Sequence, residues 1–139
     1  MRHTLAIIKP DAVSAGRAGK IWAHLEGKGF TVRAARLTRL TRAQAEAFYA
    51  VHRERPFFES LVSFMTSGPV IPMVLEADDA VARFREAIGA TNPEDAADGT
   101  VRKLYAESIE RNAIHGSDSD ENAEREIGFF FSEAERLSL

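Results

Sequence analysis

Residues 4–13 read Thr4-Leu5-Ala6-Ile7-Ile8-Lys9-Pro10-Asp11-Ala12-Val13. The unbroken apolar run Leu5–Ile8, closed by Lys9-Pro10-Asp11, has the pattern of a short buried strand. It is too short for the apolar core of a signal peptide or for a membrane span, and no later run approaches the roughly 18 apolar residues a spanning helix needs. Outward from this strand the element types alternate. Gly16 and Gly29 bracket a helix whose Ile21, Trp22 and Leu25 share one face. Phe30–Leu40 reads as a second strand, with Phe30, Val32 and Ala34 on one side. Thr41 and Gln44 match a capping box for a helix running to about Val51. Pro56 suits the first turn of another short helix, which ends before Ser67-Gly68-Pro69.

Val70–Leu75 is a third strand, and Pro72 inside it argues for an edge or a bulge. Asp78 is placed to cap a helix that stops near Gly89. Thr91–Asp98, with Asn92-Pro93 inside it and Gly99 after it, reads as a long loop. A short helix starts at Thr100, and Glu126–Phe131 reads as the fourth strand. The order βαββαβ predicts an α+β, ferredoxin-like fold: a four-stranded antiparallel sheet with helices on one face and an inserted loop. No linker or repeat interrupts residues 1–139, so one domain is expected.

The 139 residues are 45% apolar and 28% charged, as in an ordinary soluble domain. The lack of cysteine excludes disulfides, thiolate metal sites and thiol nucleophiles, and fits a cytoplasmic setting. A net charge of −3 lacks the basic excess of a dedicated nucleic-acid binder. A small anionic ligand needs only a local cluster of cations, so nucleotide binding stays open.

The densest chemistry lies in Asn112-Ala113-Ile114-His115-Gly116-Ser117-Asp118-Ser119. A neutral imidazole is a good nucleophile near pH 7 if a partner holds its second nitrogen. Glu126, eleven residues on, is a candidate partner. Gly116 would let the chain turn sharply and a bulky ligand approach the main chain. Ser117, Asp118 and Ser119 are candidate helix caps. Composition alone favours a capped turn with a surface histidine over a catalytic one. His3, His24 and His52 have weaker surroundings. Lys9, set by the rigid proline after it, is placed to meet a polyphosphate. Arg85 and Arg102 flank the loop carrying Thr91, and guanidinium groups grip phosphate with parallel donors. Phe57 and Phe58 cannot both face the core from adjacent helix positions, so one is free to stack on a base. Leu61 shares the Phe57 face. Each of these residues alone also fits an ordinary solvated or packing role. Gly16-Arg17-Ala18-Gly19-Lys20 lacks the spacing of a Walker loop, its glycines instead serving the turn into the first helix. No histidine or cysteine metal set is present, so Mg²⁺ would arrive on nucleotide phosphates.

Taken together, these segments resemble the nucleoside diphosphate kinase family over essentially the whole chain. Thr4–Val13 is similar to the family's opening strand. Arg55-Pro56-Phe57-Phe58, Leu61-Val62 and Ser67-Gly68-Pro69-Val70 resemble its middle. Gly89–Pro93 and Gly99-Thr100-Val101-Arg102 resemble its large loop, and Asn112–Ser119 its signature around the active histidine. The resemblance implies a ping-pong transfer of the γ-phosphate from ATP, GTP or another triphosphate to a diphosphate through a pros-phosphohistidine at His115. It implies that Lys9 and Tyr49 neutralise and orient the γ-phosphoryl, and that Arg85, Thr91 and Arg102 hold the β-phosphate. Asn112 and Lys9 would bond the ribose hydroxyls. Phe57 would stack on the base between Leu61 and Ile109, and Glu126, assisted by Ser117, would orient His115. A base held only by a stack and an aliphatic wall has no hydrogen-bond reader, so broad base tolerance is expected. The family uses Mg²⁺ and forms homo-oligomers from a common dimer. The end at Leu139 resembles bacterial forms and leaves the oligomer type open; of tetramer and hexamer, a tetramer is expected.

Two departures stand out. Lys103-Leu104-Tyr105 lacks the acidic residue usual two positions after Arg102, and Asp120 replaces a common valine. A ferredoxin-like RNA-binding module would instead need aromatics on the sheet face and a basic surface. Leu5–Ile8 and Val70–Leu75 contain no aromatic. A regulatory member with catalysis lost is the other alternative, but every catalytic position named above is filled.

Overall fold

The computed structural model describes residues 1–139. The elements, in chain order, are β1 (His3–Ile8), α1 (Pro10–Ser14), α2 (Ala18–Gly27), β2 (Thr31–Ala35), α3 (Arg42–Phe48), α4 (Phe58–Met65), β3 (Ile71–Glu76), α5 (Ala80–Ile88), α6 (Val101–Tyr105), β4 (Ile114–Gly116), α7 (Asp120–Phe130) and α8 (Glu133–Leu137). The strands form one antiparallel sheet in the order β2-β3-β1-β4, which is the ferredoxin-like arrangement.

β1 and β3 occupy the centre, and Leu5, Ala6, Ile7, Ile8, Met73, Val74 and Leu75 are fully buried. Their unbroken apolar sequences follow from burial on both faces, not one. Ala6, Ile8, Met73 and Leu75 pack with Ile21 and Leu25 of α2 and with Phe84 and Ile88 of α5. Leu5, Ile7 and Val74 pack with Phe48 of α3, Val62 and Met65 of α4, and Ile127 of α7. Helices therefore cover both faces of the sheet, correcting the one-face expectation.

The fourth strand is also reassigned. Glu126–Phe131 is not a strand: residues 126–130 close α7, which Ser119 caps by accepting the Asn122 N–H. Ala123, Glu126 and Ile127 are its buried positions, at helical spacing. The sheet is completed instead by the three residues Ile114–Gly116, so His115 stands on a strand, opposite Ile7.

Three local readings change as well. A bulge between Val32 and Ala34 shifts the β2 register, so Val32 packs on the α2–α5 face and Ala34 on the other. Pro72 lies in an interior strand. Its carbonyl accepts from Arg36, just past the end of β2, so its missing N–H faces that frayed ladder and costs β1 no bond. Asp78 does not cap α5: it pairs with Arg2, and Asp79 takes the cap position at φ 50° without a side-chain bond. The Thr41–Gln44 capping box is present as read. Gly16, at φ 74°, makes the turn after α1, whereas Gly19 lies inside α2.

Candidate active site

Four segments converge at the β1–β4 edge of the sheet. β4 carries His115, α7 carries Glu126, β1 leads into Lys9, and the end of α3 supplies Phe48 and Tyr49. His115 Nε2 lies 2.8 Å from Glu126 Oε1, and the Ser117 hydroxyl donates to the same oxygen at 2.8 Å. An ionised carboxylate only accepts, so Nε2 carries the hydrogen and Nδ1 keeps its lone pair. Phe48 meets the imidazole edge-on at 5.3 Å between centroids, and Tyr49 does so at 6.2 Å. The ring is thus fixed by one hydrogen bond and two aromatic walls.

Gly116 serves packing. A Cβ there would lie 2.8 Å from the Phe84 ring and 3.0 Å from Ile88, so its bare backbone admits the core of α5 and no ligand. The sequence reading of a sharp turn at this position is corrected accordingly.

The Tyr49 hydroxyl is buried and has no hydrogen-bond partner. Burial, and then the charge of Glu126, push its pKa up, so it stays a protonated donor at any working pH. Lys9 is 7% exposed, and its Nζ donates to Asn112 Oδ1 at 2.8 Å. Burial, and then the nearby Arg102, lower its pKa to about 8. Asn112 also donates to the Thr91 carbonyl at 3.3 Å. Lys9, Phe57, Leu61, Thr91, Ile109, Glu110 and Asn112 line one cavity of about 270 Å³. Glu110 had no signal in the sequence; its carboxylate accepts from the Ser60 hydroxyl at 2.6 Å. A hollow of about 440 Å³ near the chain ends is larger, but its only histidine, His3, is paired with Glu76.

Arg102 is buried, with its donors on the Gly89 carbonyl at 2.9 Å and the Ile114 carbonyl at 2.8 Å. It straps the loop to the residue before His115, while its Nε finds no partner. Burial and the neighbouring Arg85 lower its pKa to about 10. Arg85 and Thr91 are exposed. Asp118, also exposed, is held below the usual carboxylate range by its bond to Asn122, with Arg85 and His115 adding smaller effects. No three acidic or imidazole groups converge as a metal cage.

This constellation sets an oriented imidazole beside cations, a hydroxyl donor and an apolar slot. That is what phosphoryl transfer from a nucleotide requires, since it rests on positioning and charge stabilisation. Comparison with known proteins points the same way. Residues 2–136 match the family model described as nucleoside diphosphate kinase. The nucleoside diphosphate kinase of Halorhodospira halophila is 58% identical over 138 residues, 99% of this chain and 98% of the relative. That of Desulfosudis oleivorans is 55% identical over 135 residues, 97% of each. Among solved structures, the Aquifex aeolicus nucleoside diphosphate kinase superposes with a TM-score of 0.94 at 47% identity, covering 96% of this chain and 97% of that one. The halophilic enzyme of Halobacterium salinarum, solved in complex with CDP, gives 0.91 at 43% identity, covering 96% of this chain and 89% of that one. The chain belongs to the nucleoside diphosphate kinase family, the phosphotransferases that move the γ-phosphate of a nucleoside triphosphate to a nucleoside diphosphate.

Proposed function

We propose that His115 carries the phosphate on Nδ1 and that the nucleotide lies with its base in the Phe57–Leu61–Ile109 slot. The observation that carries this reading is the hydrogen bond from His115 Nε2 to Glu126, which leaves Nδ1 as the free lone pair. In the first half-reaction Nδ1 attacks the γ-phosphorus. The bond from that phosphorus to the β–γ bridging oxygen breaks, and the diphosphate leaves with the electron pair. The developing charge on Nε2–H is met by Glu126. The second half-reaction is the reverse, with the β-phosphate oxygen of a different diphosphate attacking the phosphohistidine.

Lys9 and the Tyr49 hydroxyl face the spreading γ-phosphoryl charge. Tyr49 suits the task because its buried donor has no competing partner. Arg85, Thr91 and Arg102 hold the β-phosphate. Two of Arg102's donors are committed to backbone carbonyls, so its share comes from the remaining N–H groups. Asn112 and Lys9 meet the ribose hydroxyls. Mg²⁺ arriving with the nucleotide would supply further charge neutralisation on the phosphates. A base placed between Phe57, Leu61 and Ile109 meets a stack and an aliphatic wall, which supports use of purines and pyrimidines alike; ribose and deoxyribose forms are both taken, and triphosphate pools are maintained.

No helix is long and apolar enough to cross a membrane. A cytoplasmic homo-oligomer, tetrameric and without a dedicated nucleic-acid role, completes the proposal. Leu37, Val51, Leu104 and Leu137 are exposed, which leaves apolar side chains available for subunit contact. Incubation with γ-labelled ATP and Mg²⁺ tests the chemistry: wild type acquires an acid-labile, base-stable phosphate that GDP removes as GTP. Absence of label, or full label on His115→Ala, would overturn it.

A further inference from the structure

Ala113 is one of two non-glycine residues with positive φ, at 73°, and it is fully buried. Side chains crowd the backbone in that region, so something must hold it there. The Ile114 N–H closes the turn around it on the Asn112 carbonyl at 2.9 Å, and three further hydrogen bonds link Ala113 and Asn112 to Lys9 and Asp11, just past the end of β1. The Lys9 backbone N–H donates to the Ala113 carbonyl at 2.9 Å. The Ala113 N–H donates to Asp11 Oδ2 at 3.0 Å. Lys9 Nζ donates to Asn112 Oδ1 at 2.8 Å. Asp11 is 4% exposed, and its second oxygen has no partner. A buried carboxylate is a costly way to satisfy one backbone N–H, and its place in the first turn of α1, though favourable to the helix dipole, does not call for that bond.

We infer that Asp11 is a positioning residue for phosphoryl transfer: by gripping the Ala113 N–H it holds the left-handed backbone that turns Asn112 toward Lys9 and delivers His115 into register on β4. Ala113 directly precedes the paired residues Ile114–Gly116, where Ile8 faces Ile114 and Ile7 faces His115. If Ala113 relaxes to negative φ, the chain leaves Asn112 in another direction. The Lys9–Asn112 bond then parts at one end, and the imidazole shifts at the other. One carboxylate thereby couples the nucleotide's cradle to its acceptor. The inference rests on the roles proposed for His115 and Lys9.

The test uses Asp11→Ala, Asp11→Asn and the double variant Asp11→Ala/Ala113→Gly, with wild type and His115→Ala labelled in parallel. Folding is checked by circular dichroism. In Asp11→Ala the KM for a nucleoside diphosphate should rise at least threefold while kcat falls at least tenfold. A merely structural role would lower the active fraction, and so kcat, at constant KM. Asp11→Asn keeps an acceptor oxygen and should stay within threefold of wild type. Glycine adopts positive φ without a grip, so the double variant should regain most of the lost activity. An unchanged KM in Asp11→Ala, or a double variant no better than Asp11→Ala, overturns the inference. If Asp11→Ala does not fold, the double variant and Asp11→Asn decide. A double variant that folds with wild-type KM and kcat supports the inference, and one that folds with raised KM and low kcat overturns it. Loss of label on wild type, or label on His115→Ala, defeats the underlying reading instead.

Discussion

Glu126 Oε1 accepts two hydrogen bonds at 2.8 Å each, from His115 and from the Ser117 hydroxyl. The carboxylate thus sits between a strand and a helix turn and fixes the imidazole's tautomer. Glu126→Gln keeps an acceptor but removes the charge that meets the developing imidazolium. Hydrogen bonds to charged groups are worth about 1.5–3 kcal/mol, so the phosphorylation rate should fall roughly 10- to 150-fold. Nucleotide Kd should stay nearly constant. Rapid-quench labelling beside equilibrium binding checks this, and equal loss of both would make Glu126 a folding residue.

Lys9 supplies a pH limit. Its pKa of about 8 means the ammonium is present below pH 8 and lost as pH rises through that value. Because kcat/KM reports the free protein, its profile should descend with an apparent pKa near 8. Bound phosphate favours the charged form, so the limb in kcat should lie higher. Arginine keeps its charge throughout this range; Lys9→Arg should therefore lose the limb even if its absolute rate is low. A limb unchanged in that variant would assign it to another group.

Phe57, 42% exposed, has the Arg55 guanidinium 5.5 Å and the His52 ring 5.4 Å from its centroid. A stacked base is worth about 1–3 kcal/mol. Phe57→Ala should therefore raise KM roughly 5- to 150-fold and alter kcat much less. Steady-state kinetics with ADP, GDP and CDP measures it; a fall confined to kcat would remove Phe57 from the base slot.

Tyr49→Phe should separate stability from function. It deletes a buried hydroxyl that has no partner, a group whose burial costs about 1–3 kcal/mol. The variant should melt higher by roughly 3 °C or more and phosphorylate more slowly. A lower Tm with unchanged kinetics would place the hydroxyl in the scaffold.

Gly116→Ala should do the opposite. Its Cβ would press on Phe84 at 2.8 Å. Overpacking costs about 1–3 kcal/mol, or roughly 3–15 °C in Tm at this size, and displaces the strand that carries His115. Calorimetry beside the labelling rate would reveal both losses.

Much of this was legible because it is local. The Thr41 box, the Leu5–Ile8 strand and the helix of Ile21 and Leu25 depend on neighbours within a few residues. The cavity of about 270 Å³ gathers Lys9, Phe57, Leu61, Thr91, Ile109 and Asn112, residues the family resemblance singled out from distant segments. What escaped is set by tertiary contact. Three residues are too few to show a period, so β4 hid inside the histidine segment. The apolar Ile127–Phe131 read as a strand because its helical partner Ala123 lay outside the run. The β2 bulge redirected Ala34 with no mark in composition. Glu110 entered the cavity wall because Ser60 on α4 holds it there, a contact between residues fifty apart.

Asp11 and Ala113 meet across 102 residues of chain. At a synthesis rate of about 5–20 residues per second, β1 emerges roughly 5–20 s before the segment that completes its edge. For that time the β4-facing edge of Leu5–Ile8 is unpaired even once β3 has been made, the kind of apolar edge chaperones shield and aggregates recruit. The nascent protein thus passes through its most adhesive stage before it can perform a single turnover, and a premature stop anywhere upstream of Ala113 leaves the adhesive strand without the catalyst.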